Sequence, residues 1–110
     1  QTRAWEKVIA TEYRRQCGTQ KFPSGTYVDM RVIAYFPIPK HFTKKQRMQI
    51  LRGELRPTVK PDWDNIGKLI GDALNKVAYD DDKSIVDAQV RKFYSDIPRT
   101  YISLQTAKQE

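Results

Sequence analysis

The stretch that most restricts the architecture of this chain lies between Pro61 and the acidic run Asp80-Asp81-Asp82. Ile66, Leu69, Ile70, Ala73, Leu74 and Val77 recur there at helical spacing, which predicts a helix over residues 64–77 with a single apolar stripe. Such a stripe must be buried against a second layer. The chain supplies one from Thr26 to Phe36. Val28, Met30, Val32 and Ala34 share one face there, and Tyr27, Asp29, Arg31 and Tyr35 share the other. That period of two marks a half-buried strand, and Pro37 and Pro39 stop it.

The remaining segments fit around this pair. Ala4 to Cys17 reads as a helix, with Trp5, Val8, Ile9 and Tyr13 at helical spacing and Gly18 at its end. Lys21 to Gly25 is a loop. Thr43-Lys44-Lys45-Gln46 is a capping-box pattern that opens a short basic helix through Leu51, closed by Gly53. Residues 55–61 are extended. Ile85 to Phe93 reads as a strand, with Thr100 to Leu104 as its hairpin partner across residues 95–98. The expected fold is α+β, a small mixed β-sheet with helices packed against it. At 110 residues, a single domain spanning 1–110 is expected.

Composition narrows the chemistry. No run approaches the ~18 apolar residues of a membrane helix, and Gln1-Thr2-Arg3-Ala4-Trp5 lacks the layout of a signal peptide. The missing initiator Met suggests that the chain has lost its true beginning. Cys17 and His41 are each the sole residue of their type. An internal disulfide is therefore impossible, which fits a reducing cytoplasm, and so is a zinc site of the usual His/Cys kind. Any metal would be a hard cation held by oxygen. The net charge of +7 favours a polyanionic partner, and it is unevenly distributed. Residues 1–59 carry 12 Lys and Arg against 4 Asp and Glu, whereas residues 60–110 carry 8 against 9.

The acidic residues of the second half form a pattern. In Lys60-Pro61-Asp62-Trp63-Asp64-Asn65, Pro61 holds Lys60 extended, so Asp62 and Asp64 fall at a helix N-terminus, where Asp is favoured as a cap and by the helix dipole. Capping accounts for one of them. It does not account for a second, or for three more carboxylates that begin 18 residues after Asp62 in Asp80-Asp81-Asp82. Turn chemistry can use one or two of that triplet. An EF-hand loop is excluded, because Ile85 stands where its Gly would be and Arg91 where its Glu would be. If Asp82 returns beside the helix N-terminus, three carboxylates converge as Mg²⁺ requires. One sequence leaves that open. Asp64, Lys68 and Asp72 share a helix face at i, i+4 and i+8, either as a surface ion-pair ladder or with Lys68 as a fixed positive charge beside a metal.

The string Lys60-Pro61-Asp62-Trp63-Asp64-Asn65-Ile66-Gly67-Lys68, then Asp72-Ala73-Leu74-Asn75, then Val77-Ala78-Tyr79-Asp80-Asp81-Asp82 and Ile85-Val86 resembles the RusA family of Holliday junction resolvases. That family carries a Pro-Asp-hydrophobic-Asp-Asn-hydrophobic-x-Lys helix start, an Asp-Ala-Leu-Asn helix end and an Asp-Asp pair ahead of a strand. The resemblance covers residues 55–94. It implies a homodimeric endonuclease, of phage or prophage type, acting on four-way junctions and related branched DNA in recombination and repair. The implied cofactor is Mg²⁺, with Mn²⁺ as a substitute. It also implies catalytic roles for Asp62, Asp64, Lys68 and Asp82, with the three aspartates as metal ligands. Members of the family usually begin with a strand, whereas this chain opens in its first helix, so that strand is expected to be missing. Lys44, Lys45, Arg47, Arg52 and Arg56 are candidates for DNA backbone contacts. Two rivals stand beside this reading. One is a PD-(D/E)xK nuclease using Pro61-Asp62, Asp81 and Lys83; the other is a branched-DNA-binding protein without catalysis.

Overall fold

The computed structural model describes residues 2–109. In chain order these form α1 (Thr2–Cys17), β1 (Val28–Pro37), α2 (Lys44–Leu51), α3 (Trp63–Ala73), a 3-10 turn (Asp82–Ser84), β2 (Ile85–Ser95) and β3 (Arg99–Thr106). The three strands make one mixed sheet in the order β2-β1-β3, with β2 parallel and β3 antiparallel to β1. This is the expected α+β arrangement.

The alternation along β1 decides the layering. Val28, Met30, Val32 and Ala34 are all buried, and the last three meet Ile66, Ile70 and Leu74 of the α3 segment, with Ala78 and Tyr79 closing the cluster. Ile70 and Leu74 are 2% and 1% exposed. Truncating either to Ala is expected to cost ~2–5 kcal/mol, a large part of a typical domain's stability. From α1, Ile9 and Tyr13 pack on this core, but Trp5 and Val8 stay 59% and 56% exposed. The predicted apolar face of α1 is thus only half covered. The shortest dimension is 22 Å, that of one helix layer on one sheet.

Two expectations are corrected. The segment after β2 is a strand, but it does not form a hairpin with β2. Both edges of β1 are hydrogen-bonded, so the chain passes over the end of β1 and β3 pairs on its far side. Side chains build that wide turn: Ser95 Oγ accepts from Ile97 N at 3.1 Å, and Arg99 donates to Ser95 Oγ and to the Ile97 carbonyl. β1 takes the centre because it carries the most buried face, which leaves the more exposed β2 and β3 as edges. The α3 helix also ends at Ala73 rather than Val77. Lys76 turns the chain at φ 63°, its N–H donates to the Tyr79 carbonyl at 2.7 Å, and Asn75 and Tyr79 form an isolated bridge.

The capping box at Thr43 is present in full. Gln46 N donates to Thr43 Oγ1, and Gln46 Oε1 accepts from Thr43 N. No residue of α2 is buried, so this basic helix stands clear of the core as an arm. An edge-on contact between Phe42 and Tyr94, with ring centroids 5.4 Å apart, ties its base to the end of β2.

Candidate active site

Asp62 occupies the N-cap position of α3 in an extended conformation (φ −68°, ψ 160°), yet its side chain makes no capping hydrogen bond. Asp64 lies in the first turn, where its Oδ1 accepts from the Asn65 N–H at 3.0 Å. Both carboxylates are exposed, and Trp63 between them is 67% exposed. Capping, the structural explanation available from sequence, therefore does not account for the Asp62 side chain. The segment entering the helix is held firmly. Pro57 is buried, Arg56 Nε donates to the Lys92 carbonyl at 3.0 Å, and Lys92 Nζ donates to the Val59 carbonyl at 2.6 Å.

The three aspartates after the helix have different employments. Asp80 pairs with Lys21 at 2.8 Å, which fastens the loop before β1 and holds the Asp80 carboxyl below its ordinary range. Asp81 caps the 3-10 turn by accepting from Lys83 N at 2.9 Å; that bond, and a hydrogen bond with Asp82, lower its pKa. Asp82 has no cationic partner among the ion pairs of the described residues. Its backbone N–H donates to Asn75 Oδ1 at 2.7 Å, and its half-buried carboxyl packs beside Gly71. Burial, and then hydrogen bonds with Asp81 and Asp72, push its pKa up. The Tyr79 hydroxyl donates to the Gly71 carbonyl at 2.7 Å beneath this cluster, and burial and the neighbouring carboxylates raise its pKa. Gly71 lies at this contact. A Cβ there would meet Asp82 Oδ2 at 3.6 Å, and one on Gly67 would meet Val90 at 3.6 Å. Both glycines thus lie at contacts of α3 within the chain, where a Cβ would find ordinary van der Waals distances.

Asp72 is brought to Asp82, but Asp62 and Asp64 are not. Gly71, which Asp82 touches, follows Asp64 by seven residues of helix, a rise of about 10 Å. No group of three or more acidic, His or Cys residues among the described residues is placed to hold a metal ion. Within one chain the predicted ligands Asp62, Asp64 and Asp82 therefore do not fit a shared cation, and no metal-assisted step is assigned to them there. The PD-(D/E)xK arrangement is divided in the same way, with Asp62 at one end of α3 and Asp81 capping Lys83 at the other.

Lys68 is exposed on α3, and none of Asp64, Lys68 and Asp72 takes part in the ion pairs of the described residues. The ion-pair ladder is thus not formed. Lys44, Lys45, Arg47 and Arg52 are exposed on or beside α2, and Arg56 lies over the Phe93 ring at 4.1 Å. The sequence reading passed over Arg91 and Arg99, which lie over Phe93 and Tyr35. Only the strand register brings these pairs together. Among the described residues no helix is long and apolar enough to cross a membrane.

The family described as Endodeoxyribonuclease RusA matches residues 1–105. An uncharacterized protein of Bacillus subtilis (strain 168), YqaN, is 45% identical over 80 residues, which is 71% of this chain and 56% of that protein. The chain thus spans just over half the length of that relative. No solved structure matches. With both α3 and the acidic turn inside the matched region, the chain belongs to the RusA endodeoxyribonuclease family.

Proposed function

We propose that this protein is a divalent-metal-dependent endonuclease that cleaves phosphodiesters in four-way junctions and related branched DNA. The observation that carries this is the Asp62–Asp64 pair. Two exposed carboxylates stand at a helix start tied to β2, Asp62 without a capping bond and neither with a cationic partner among the described residues, inside a segment matched by an endodeoxyribonuclease family. A carboxylate pair of this kind suits a hard, oxygen-coordinated cation, and Mg²⁺ is the proposed one.

A homodimer accounts for the separation of the acidic groups. A junction presents two equivalent strands, which a two-fold protein matches. In such a dimer the Asp62–Asp64 end of one α3 meets the Asp82–Asp72 end of the partner's, and the cation site belongs to the pair of chains. Lys68, midway between the two ends, supplies a fixed positive charge facing the scissile phosphate. Lys44, Lys45, Arg47 and Arg52 on the α2 arm track the DNA backbone. The setting is the cytoplasm of a bacterium carrying a prophage or infected by phage.

The test is incubation of the full-length protein with an end-labelled four-way junction, with and without Mg²⁺. Cleavage is expected only with the cation. Binding without cleavage in either Mg²⁺ or Mn²⁺ would leave the non-catalytic reading in its place.

A further inference from the structure

One face of the sheet is covered by α1 and α3, and the other carries an uneven row of side chains. On β1 the residues that alternate with the core are Asp29, Arg31, Ile33 and Tyr35. The register places Arg91 and Tyr101 beside Ile33, and Phe93 and Arg99 beside Tyr35. At the Asp29 end positive charge is compensated: Arg31 pairs with Asp29, and Asp87 lies opposite Asp29. At the Tyr35 end it is not.

There the Tyr35 and Phe93 rings stack with centroids 6.2 Å apart. Arg99 lies 3.9 Å over Tyr35, and Arg56 and Arg91 lie 4.1 and 4.8 Å over Phe93. None of these three arginines has a carboxylate partner among the ion pairs of the described residues. Two are fixed by groups that do not neutralise them. Arg99 donates to Ser95 Oγ and the Ile97 carbonyl, and Arg56 to the Lys92 carbonyl. A guanidinium laid on a ring keeps its remaining N–H groups at its edge, where they suit a phosphate. Three uncompensated charges on adjoining rings repel one another, and a polyanion supplies what the chain withholds. Because guanidiniums cover the rings, the surface suits DNA backbone and not bases.

The place of this patch matters as much as its charge. α3 lies along β2 with Gly67 against Val90 and Gly71 against Ile85, so it runs antiparallel to that strand. Its start, with Asp62 and Asp64, is therefore at the Phe93 end of the sheet. The Arg56–Lys92 and Lys92–Val59 hydrogen bonds join the patch to the segment that enters α3.

We propose that Arg56, Arg91 and Arg99, held on Phe93 and Tyr35, form a phosphate-binding surface on which one arm of the branched DNA lies, leading the strand toward Asp62 and Asp64. This rests on the branched-DNA reading above and adds the face by which the DNA is held.

The test measures junction binding by fluorescence anisotropy between about 50 and 200 mM salt. Arg91→Gln/Arg99→Gln is expected to flatten the dependence of log K on log salt by about two units and to weaken binding on the order of tenfold. Lys7→Gln/Arg14→Gln, which removes the same charge from α1, is expected to change neither by more than a small fraction of that. Phe93→Leu keeps every charge but releases two guanidiniums, so affinity should fall a few-fold. Wild-type slope and affinity in the Arg91/Arg99 variant would overturn the proposal, as would an equal loss in the α1 control. So would a change in sedimentation of the Arg91/Arg99 variant without DNA, since the face would then join two copies of the chain. If wild-type protein cuts junctions and the Arg91/Arg99 variant binds them equally well, only this surface is lost. If wild-type protein binds no junction, the branched-DNA reading falls with it.

Discussion

The two ends of α3 carry the same residue type under opposite conditions. At the C-terminal end Asp80 pairs with Lys21, Asp81 caps a turn, and Asp82 lies half-buried beside Gly71, with Asp72 and Asp81 near enough to raise its pKa. At the N-terminal end Asp62 and Asp64 are exposed, and the N-cap aspartate does not cap. Counting carboxylates in the sequence treats these ends alike. Their partners separate them: one end is built into the fold, with Asp82 and Asp72 left without a cation among the described residues, and the other is offered to solvent by a segment fastened to β2.

The largest effect sought is a test of whether both ends serve one reaction. Asp64→Asn and Asp82→Asn are each expected to lower junction cleavage on the order of 10²-fold or more while leaving binding intact, because each deletes charge and keeps shape. Mixing the two inactive variants sharpens the comparison. If the site is shared between two copies, half of the dimers are mixed and each retains one intact site, so nicking should recover to about a quarter of wild type. A mixture as inactive as its parts would exclude the shared site. Normal cutting by both single variants would make the carboxylates structural.

The lysines near each end offer a second contrast. Lys68 stands on α3 without an ion-pair partner among the described residues, whereas Lys83 follows Asp82 in the 3-10 turn. Lys68→Ala is expected to slow single-turnover cleavage about 10²-fold, comparable to the loss of one oxyanion donor. Lys83→Ala should slow it only a few-fold. Lys68→Arg should rescue little, since a planar fork does not replace a compact ammonium. An inactive Lys83→Ala beside an active Lys68→Ala would restore the PD-(D/E)xK reading.

Local patterns explain what the sequence made legible. The β1 alternation, the Thr43 capping box and the stripe from Ile66 to Leu74 each depend on neighbours within a few residues, and each appears as expected. The end of α3 was hidden because Leu74-Asn75-Lys76-Val77 contains neither Gly nor Pro. The helix stops there through the backbone pairing of Lys76 with Tyr79 and the Asn75 contact to Asp82. The position of β3 was hidden because short spacing favours a hairpin, and the buried face of β1 outweighs that local preference by claiming the centre of the sheet. For the site, residue types and spacing marked the right carboxylates but could not measure the length of helix between Asp64 and Asp82. The arginines over Tyr35 and Phe93 depend on register across three strands, which no single segment encodes.

A smaller effect concerns how firmly the built end is built. Gly71 sits in the helix without a positive φ, and the added Cβ of Gly71→Ala would make ordinary contacts with Asp82 and Ile85 at 3.6–3.9 Å. Relief of the helix penalty of Gly should then raise stability by up to ~1 kcal/mol, read from chemical denaturation. A loss of stability would mean that the Asp82 approach is tighter than these contacts indicate. A loss of dimer alone would mean that a second helix packs on this face.

The smallest expected effect, below that of Gly71→Ala, follows from the raised pKa of Asp82 and is best measured with chelator present. A carboxyl whose folded pKa lies above its unfolded value binds its proton more tightly in the folded chain. Its contribution is fully present below the unfolded value, near 3.8, and is lost as pH rises through the folded value. At neutral pH the charged Asp82, half-buried against Asp72 and Asp81, therefore destabilises the fold. Asp82→Asn removes that charge and supplies an amide N–H donor for the two neighbouring carboxylates. Its Tm should exceed that of wild type near neutral pH, and the difference should shrink as pH falls toward the ordinary carboxylate range. Asp64→Asn, at the exposed end, should show no such pH-dependent gain. Thermal melts of both variants across this range check the contrast. A lower Tm for Asp82→Asn near neutral pH would show that its carboxylate stabilises the turn, and the distinction between a built end and an offered end would then have to be redrawn.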